Sequence, residues 1–131
     1  MQTARVLSVG QCYADGPALE QAVTAQFKAD FTHVDTAAEA FAQLDQHRVD
    51  LVLVNRLFDL DGASGIEFIR QLRAEPRTAD VPVMLISNYP HYQAEAQALG
   101  AVPGFGKNAL GQPSMVAALR PFLPAKVAKA G

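Results

Sequence analysis

The sequence predicts an α/β fold: a five-stranded parallel sheet, doubly wound, with helices on both faces. Three observations predict it. Short apolar runs alternate with longer stretches of helical periodicity, β then α, five times over. The runs at 51–54 and 81–86 are apolar throughout rather than alternating, as in strands covered on both faces. The chain has 131 residues, half apolar and 18% charged, enough for one hydrophobic core and too apolar for a disordered chain.

The elements follow in order. Residues 6–9 form the first strand and end at Gly10. Asp15-Gly16-Pro17 is a turn whose proline opens a helix, and Leu19, Val23 and Phe27 recur at i, i+4 and i+8 along it. Residues 31–34 make a brief second strand. Thr36-Ala37-Ala38-Glu39 is a capping box: the threonine caps free amides and the glutamate reaches back. Phe41 and Leu44 continue that helix's inner face. Residues 51–54 form the third strand, 55–63 a loop, and Ser64-Gly65-Ile66-Glu67 a second capping box. Ile66, Ile69 and Leu72 line the third helix, which Glu75-Pro76 breaks. The fourth strand, 81–86, tolerates Pro82 only near its start. Residues 92–99 are helical, with Gly100 as C-cap. Residues 102–106 are a weak fifth strand containing Pro103, Gly104 and Gly106, and 113–123 close the domain as a helix. The domain spans residues 1–124. Residues 125–131, rich in Ala and Lys, are expected to be a flexible tail or truncated linker.

Composition excludes several functions. A net charge of −2 gives no basic face for nucleic acid. One cysteine forms no internal disulfide, and no Cys/His cluster has zinc spacing. No apolar run approaches the roughly 20 residues of a membrane span, and the N-terminus lacks a signal peptide. The expectation is a cytoplasmic protein that binds neither nucleic acid nor membrane.

In parallel α/β sheets the functional crevice lies at the carboxyl ends of the strands. The residues there are Gly10, Gln11 and Cys12; Asp35; Asn55 and the loop after it; Ser87 and Asn88; and Gly106 and Lys107.

The sequence resembles the receiver domain of two-component response regulators, a flavodoxin-like (βα)5 module. The resemblance spans residues 4–123. It rests on Asp50-Leu51-Val52-Leu53-Val54, on 65–73 beginning Gly65-Ile66-Glu67, on 80–87 ending at Ser87, and on Ala98-Leu99-Gly100-Ala101 with Lys107. It implies phosphoryl transfer to an aspartate, with magnesium held by an acidic pair. The positions implied for those roles do not carry them. The acidic pair falls on Gly10 and Gln11, and the phosphoacceptor on Asn55. Ser87 and Lys107 are retained. The usual proline after the lysine is Asn108, and the usual aromatic falls on Gly104, with Phe105 one place later. The loop after Asn55 is also longer than the resemblance implies.

These departures have one chemical meaning. Transfer to a carboxylate needs an anionic nucleophile and a divalent metal to neutralise the phosphoryl oxygens. Magnesium takes hard oxygen ligands, usually including a carboxylate. Asn55 offers a neutral amide, Gly10 nothing and Gln11 no charge. The leading expectation is a degenerate receiver with no catalytic residue, metal or cofactor. It would act through protein contacts with a histidine kinase, another regulator or a second copy of itself. Its expected contact surface is the fourth helix, fifth strand and fifth helix, with Tyr89, Tyr92 and Phe105 as anchors. Ser87 and Lys107 are expected to be structural, with Lys107 donating to the Asn55 amide oxygen and nearby carbonyls. Two alternatives stand beside it. One is a true phosphoacceptor in which Asp59 or Asp61 restores a carboxylate to the crevice; as plain sequence, Asp59-Leu60-Asp61-Gly62 reads as a solvated turn. The other is a small enzyme of the same fold using Cys12. The cysteine-and-arginine phosphate loop fails, since the sixth residue after Cys12 is Ala18.

Overall fold

The computed structural model describes residues 3–126. The elements are β1 (Ala4–Val9), α1 (Asp15–Thr24), β2 (Ala29–Val34), α2 (Ala37–Gln46), β3 (Leu51–Asn55), α3 (Gly65–Ala74), β4 (Val83–Ile86), α4 (Pro90–Ala98), β5 (Val102–Phe105) and α5 (Pro113–Leu119). A short 3-10 turn, Lys107–Ala109, joins β5 to α5. The strands form one parallel sheet in the order β2-β1-β3-β4-β5. The order reverses beside β1, which places a crevice over the carboxyl ends of β1 and β3.

Each face of the sheet is covered. Leu7, Val9, Val52, Val54, Val83 and Leu85 pack under α2, α3 and α4, against Ala40, Ile66, Ile69, Leu72 and Ala96. Val6, Leu51, Leu53, Met84 and Ile86 face α1 and α5, against Leu19, Val23, Met115 and Leu119. β3 and β4 therefore alternate between two cores, which is why both read as unbroken apolar runs. Among the described residues no helix is long and apolar enough to cross a membrane.

Local chemistry sets the element ends. Thr36 and Glu39 form the complete capping box at α2. At α3 only half forms. Ser64 Oγ accepts from Glu67 N at 3.1 Å, but the Glu67 carboxylate turns to Arg70 Nε instead of the cap. Gly100 ends α4 at φ +104°, a conformation that glycine takes without steric cost. β4 starts at Val83, after Pro82, because proline cannot donate to the ladder; the Pro82 carbonyl still accepts from Val52 N at 2.9 Å. α5 stops at Leu119, two residues before Pro121. Residues 124–126 pair with the segment after α1. Lys28 N donates to Pro124 O and Lys126 N to Gln26 O, and Ala125 bridges Phe27 in antiparallel fashion. The rest of the expected tail, 127–131, lies outside the described residues.

Candidate functional site

The topology brings the carboxyl ends of β1, β3, β4 and β5 side by side, and with them Gly10, Asn55, Ser87 and Lys107. What surrounds Gly10 and Asn55 is decided by the loop between β3 and α3. Phe58, in that loop, is buried and packs edge-on against Phe68 of α3, ring centroids 5.9 Å apart. It sits directly against Gly10. A Cβ at Gly10 would overlap the Phe58 ring, and Gly10 also has φ +79°. Only glycine meets both demands. At the position where the resemblance implies an acidic side chain, the space is filled by Phe58.

Hydrogen bonds fasten this plug. Asn55 Nδ2 donates to Gly10 O at 3.0 Å and to Leu57 O at 2.8 Å. Asn55 Oδ1 accepts from Arg56 N at 3.1 Å. Asp59 N donates to Gly10 O at 3.0 Å, and Phe58 N to Ala63 O at 2.9 Å. The Asn55 side chain is therefore an internal brace, with both its donor hydrogens committed to carbonyls.

Lys107 does not reach Asn55, contrary to expectation. Its Nζ pairs with Asp15 Oδ2 at 2.6 Å. Asp15 opens α1, and its backbone N donates to Cys12 Sγ at 3.3 Å. The hydrogen bond from Lys107, then that from the Cys12 thiol, holds the Asp15 carboxyl below the usual carboxylate range. The carboxylate that enters the crevice is Asp15, read from the sequence as a turn residue. Asp59 and Asp61 are exposed, and Asp61 Oδ1 accepts from Ala63 N at 3.0 Å, closing the solvated turn. Cys12, three residues before α1, accepts from the Asp15 N at its start. Asp35 also stays exposed, with its backbone N donating to Glu39 Oε1.

Across the crevice, Ser87 Oγ accepts from Tyr89 N at 3.2 Å, and Asn88 Oδ1 accepts from Asn108 N at 3.0 Å. Gln93 of α4 clamps the sheet edge. Its Nε2 donates to Leu85 O and Ser87 O, and its Oε1 accepts from Gly104 N at 3.2 Å. Gly104 is no vacated aromatic site, since a Cβ there would overlap the Leu85 carbonyl. Phe105 is buried in the α1–α5 core and is not a surface anchor, because its strand position turns it inward. Tyr89 is exposed. Tyr92 is half-buried, with the Arg56 guanidinium 4.4 Å from its ring centroid. A cleft of about 890 Å³ opens between α4 and the β5–α5 segment, lined by Gln93, Gln97, Gly104, Asn108 and Gln112 among others.

A receiver-type magnesium site can be tested against these donors. Gly10 offers none, and Phe58 occupies the space. Gln11 is buried, and neither its Nε2 nor its Oε1 has a partner among the described residues. Asn55 presents an NH2 group already given to two carbonyls. Among the described residues no three His, Cys, Asp or Glu side chains converge for a metal. The residues do not fit the ion.

No protein-family model matches the chain, and no curated protein matches it in sequence. Solved structures do. A putative response regulator from Chloroflexus aurantiacus J-10-fl superposes with a TM-score of 0.78 at 16% identity, over 92% of this chain and 98% of that one. The chemotaxis response regulator CheY4 of Vibrio cholerae gives 0.72 at 18%, over 93% and 100%. A response regulator from Thermotoga maritima gives 0.66 at 23%, over 81% and 86%. The chain has the receiver fold. Within that fold, sequence reasoning missed Phe58, the Asp15–Lys107 pair, the Arg56–Tyr92 stack and the Gln93 clamp. The first had a readable signal: a side-chain-free Gly10 coupled to a large aromatic in a lengthened loop.

Proposed function

We propose that the chain is a receiver-like signalling module of two-component type that works by protein contact, is not an enzyme and accepts no phosphoryl group. One observation carries the reading. The nucleophile position is Asn55, and its amide hydrogens brace Gly10 and Leu57 around a Phe58 that fills the metal side of the crevice. An amide forms no stable acyl phosphate, and the carboxylate that is present, Asp15, is neutralised by Lys107. The resting conformation is then set by the sequence itself, because no phosphoryl charge of about −1.5 to −2 arrives to bias it.

The proposed partner is a protein: a histidine kinase, another regulator or a second copy. The cleft between α4 and the β5–α5 segment supports contact on that side, and the exposed Tyr89 just before α4 adds an anchor, since tyrosine buries large area at low entropic cost. The test is incubation with acetyl phosphate and magnesium followed by intact mass measurement. The expected result is an unchanged mass. A stoichiometric, hydroxylamine-sensitive phosphoryl adduct would overturn the proposal.

A further inference from the structure

The surface distributes its apolar side chains unevenly. Among the described residues four large hydrophobic side chains are exposed: Tyr13 at 97%, Leu60 at 66%, Tyr89 at 57% and Leu57 at 46%. All four lie on connections that leave the carboxyl ends of strands. Tyr13 follows β1, Leu57 and Leu60 follow β3, and Tyr89 follows β4. Those three strands are neighbours in the sheet. The four side chains therefore crown one end of the molecule. Scattered surface hydrophobics need no explanation, but a gathered set marks a contact surface.

Their exposure is built rather than accidental. The β3–α3 loop is closed by Gly62 N to Phe58 O at 2.8 Å, Gly65 N to Arg56 O at 2.7 Å and an antiparallel bridge between Leu57 and Ser64. Phe58 nails the loop to the core while Leu57 and Leu60 are held outward beside it. Such a loop presents its leucines without an ordering cost on association.

The same loop carries charges that do not cancel within the chain. Arg56 stacks on Tyr92 and has no carboxylate partner among the described residues. Asp59 and Asp61 have no cationic partner there either; Asp61 meets only a backbone amide. One cation and two anions thus flank an apolar centre within six residues of sequence, 56–61. A two-fold interface requires a self-complementary patch, in which residue i meets j and j meets i. This loop meets the requirement: Arg56 of one copy opposite Asp59 and Asp61 of the other, twice, around Leu57 and Leu60.

We infer that the carboxyl-end face is a homodimer interface, occupied by a second copy of this chain packed loop against loop. It extends the protein-contact reading above to a second face. Its failure would leave the absence of phosphorylation untouched, because the two are measured separately.

Sedimentation velocity over a wide concentration range tests it. The parent is expected to shift from monomer to dimer, with association weakening as salt rises. Leu57→Ser with Leu60→Ser, both at exposed positions, is expected to keep the parent's circular dichroism and weaken association at least tenfold. Arg56→Glu makes the loop wholly acidic, and Asp59→Lys with Asp61→Lys makes it wholly basic. Each is expected to weaken self-association about tenfold. An equimolar mixture of the two is expected to recover dimers, a result that a merely structural role cannot produce. A parent that stays monomeric at every concentration would overturn the inference. So would a dimer indifferent to the two leucine changes, or charge variants that fail to associate when mixed.

Discussion

At the carboxyl ends of β1 and β3 the chain closes over itself; at the ends of β4 and β5 it stays open. On the first side Phe58 fills the space against Gly10, and Asn55 ties the two strands' ends to the loop. On the second side Ser87, Asn88 and Gln93 keep polar contacts around a cleft of about 890 Å³. Both halves derive from the same sheet edge. In the receiver resemblance, the first would hold the metal and nucleophile and the second would respond. The difference teaches that one half of this sheet edge is packed as core while the other remains a surface. Lys107 joins them, anchored to Asp15 of α1.

The largest way to break this contrast is to empty the sealed half. Phe58→Ala should destabilise the fold by about 3–5 kcal/mol, read by urea denaturation, through lost burial and a residual cavity. Gly10→Ala alone should cost about 1–3 kcal/mol by overpacking and left-handed strain. In the Phe58→Ala background the Gly10→Ala cost should shrink, because the ring it strikes is gone. Strict additivity of the two would show that Phe58 and Gly10 do not share the space.

A smaller effect is expected at the brace. Asn55→Asp replaces two donated hydrogens by a carboxylate facing the Gly10 and Leu57 carbonyls. Stability at neutral pH should fall by about 2 kcal/mol. Part of it should return on acidification, when the acid can donate once. Phosphorylation should not appear, since the metal side stays plugged. Magnesium-dependent labelling of this variant would show that the sealed half still opens.

The smallest effect lies at the junction. Asp15→Asn should cost no more than about 1 kcal/mol, because the Asp15–Lys107 pair is about a third exposed. The sign with pH is definite. The folded carboxyl titrates below its unfolded value, so its contribution is present above the ordinary carboxylate range and lost as pH falls through the lowered value. The stability difference between parent and variant should therefore be full at neutral pH, begin to shrink near the ordinary carboxylate value of about 3.9, and vanish only below the lowered folded value.

Much of the fold was legible because its signals are local. Thr36 and Glu39 lie three apart and form their box; the runs in β3 and β4 are unbroken because both sides are covered. The miss at Glu67 has a simple origin: Arg70, one turn on, competes for its carboxylate. At the candidate site the sequence shows that Gly10, Gln11 and Asn55 carry no carboxylate. What it contains was hidden, because Phe58 and Gly10 are 48 residues apart and pair by volume. Asp15 was read from its turn-forming neighbours, although Lys107, far along the chain, sets its role. Phe105 was read as a surface anchor because a strand of only four residues gives too little alternation to tell inward from outward.

The fit of Phe58 against Gly10 also bears on descent. A sequence moves by single substitutions, and each first step toward a crevice lined with carboxylates is penalised here. An acid at position 10 meets an occupied space before the ring has left. Removing the ring first leaves a void that no acid yet fills. Placing an aspartate at 55 sets it against two carbonyls held in place by the same loop. The three positions are therefore coupled, and each change made alone is expected to lower stability. Substitution is thereby steered away from this packed pair and toward the surfaces around it.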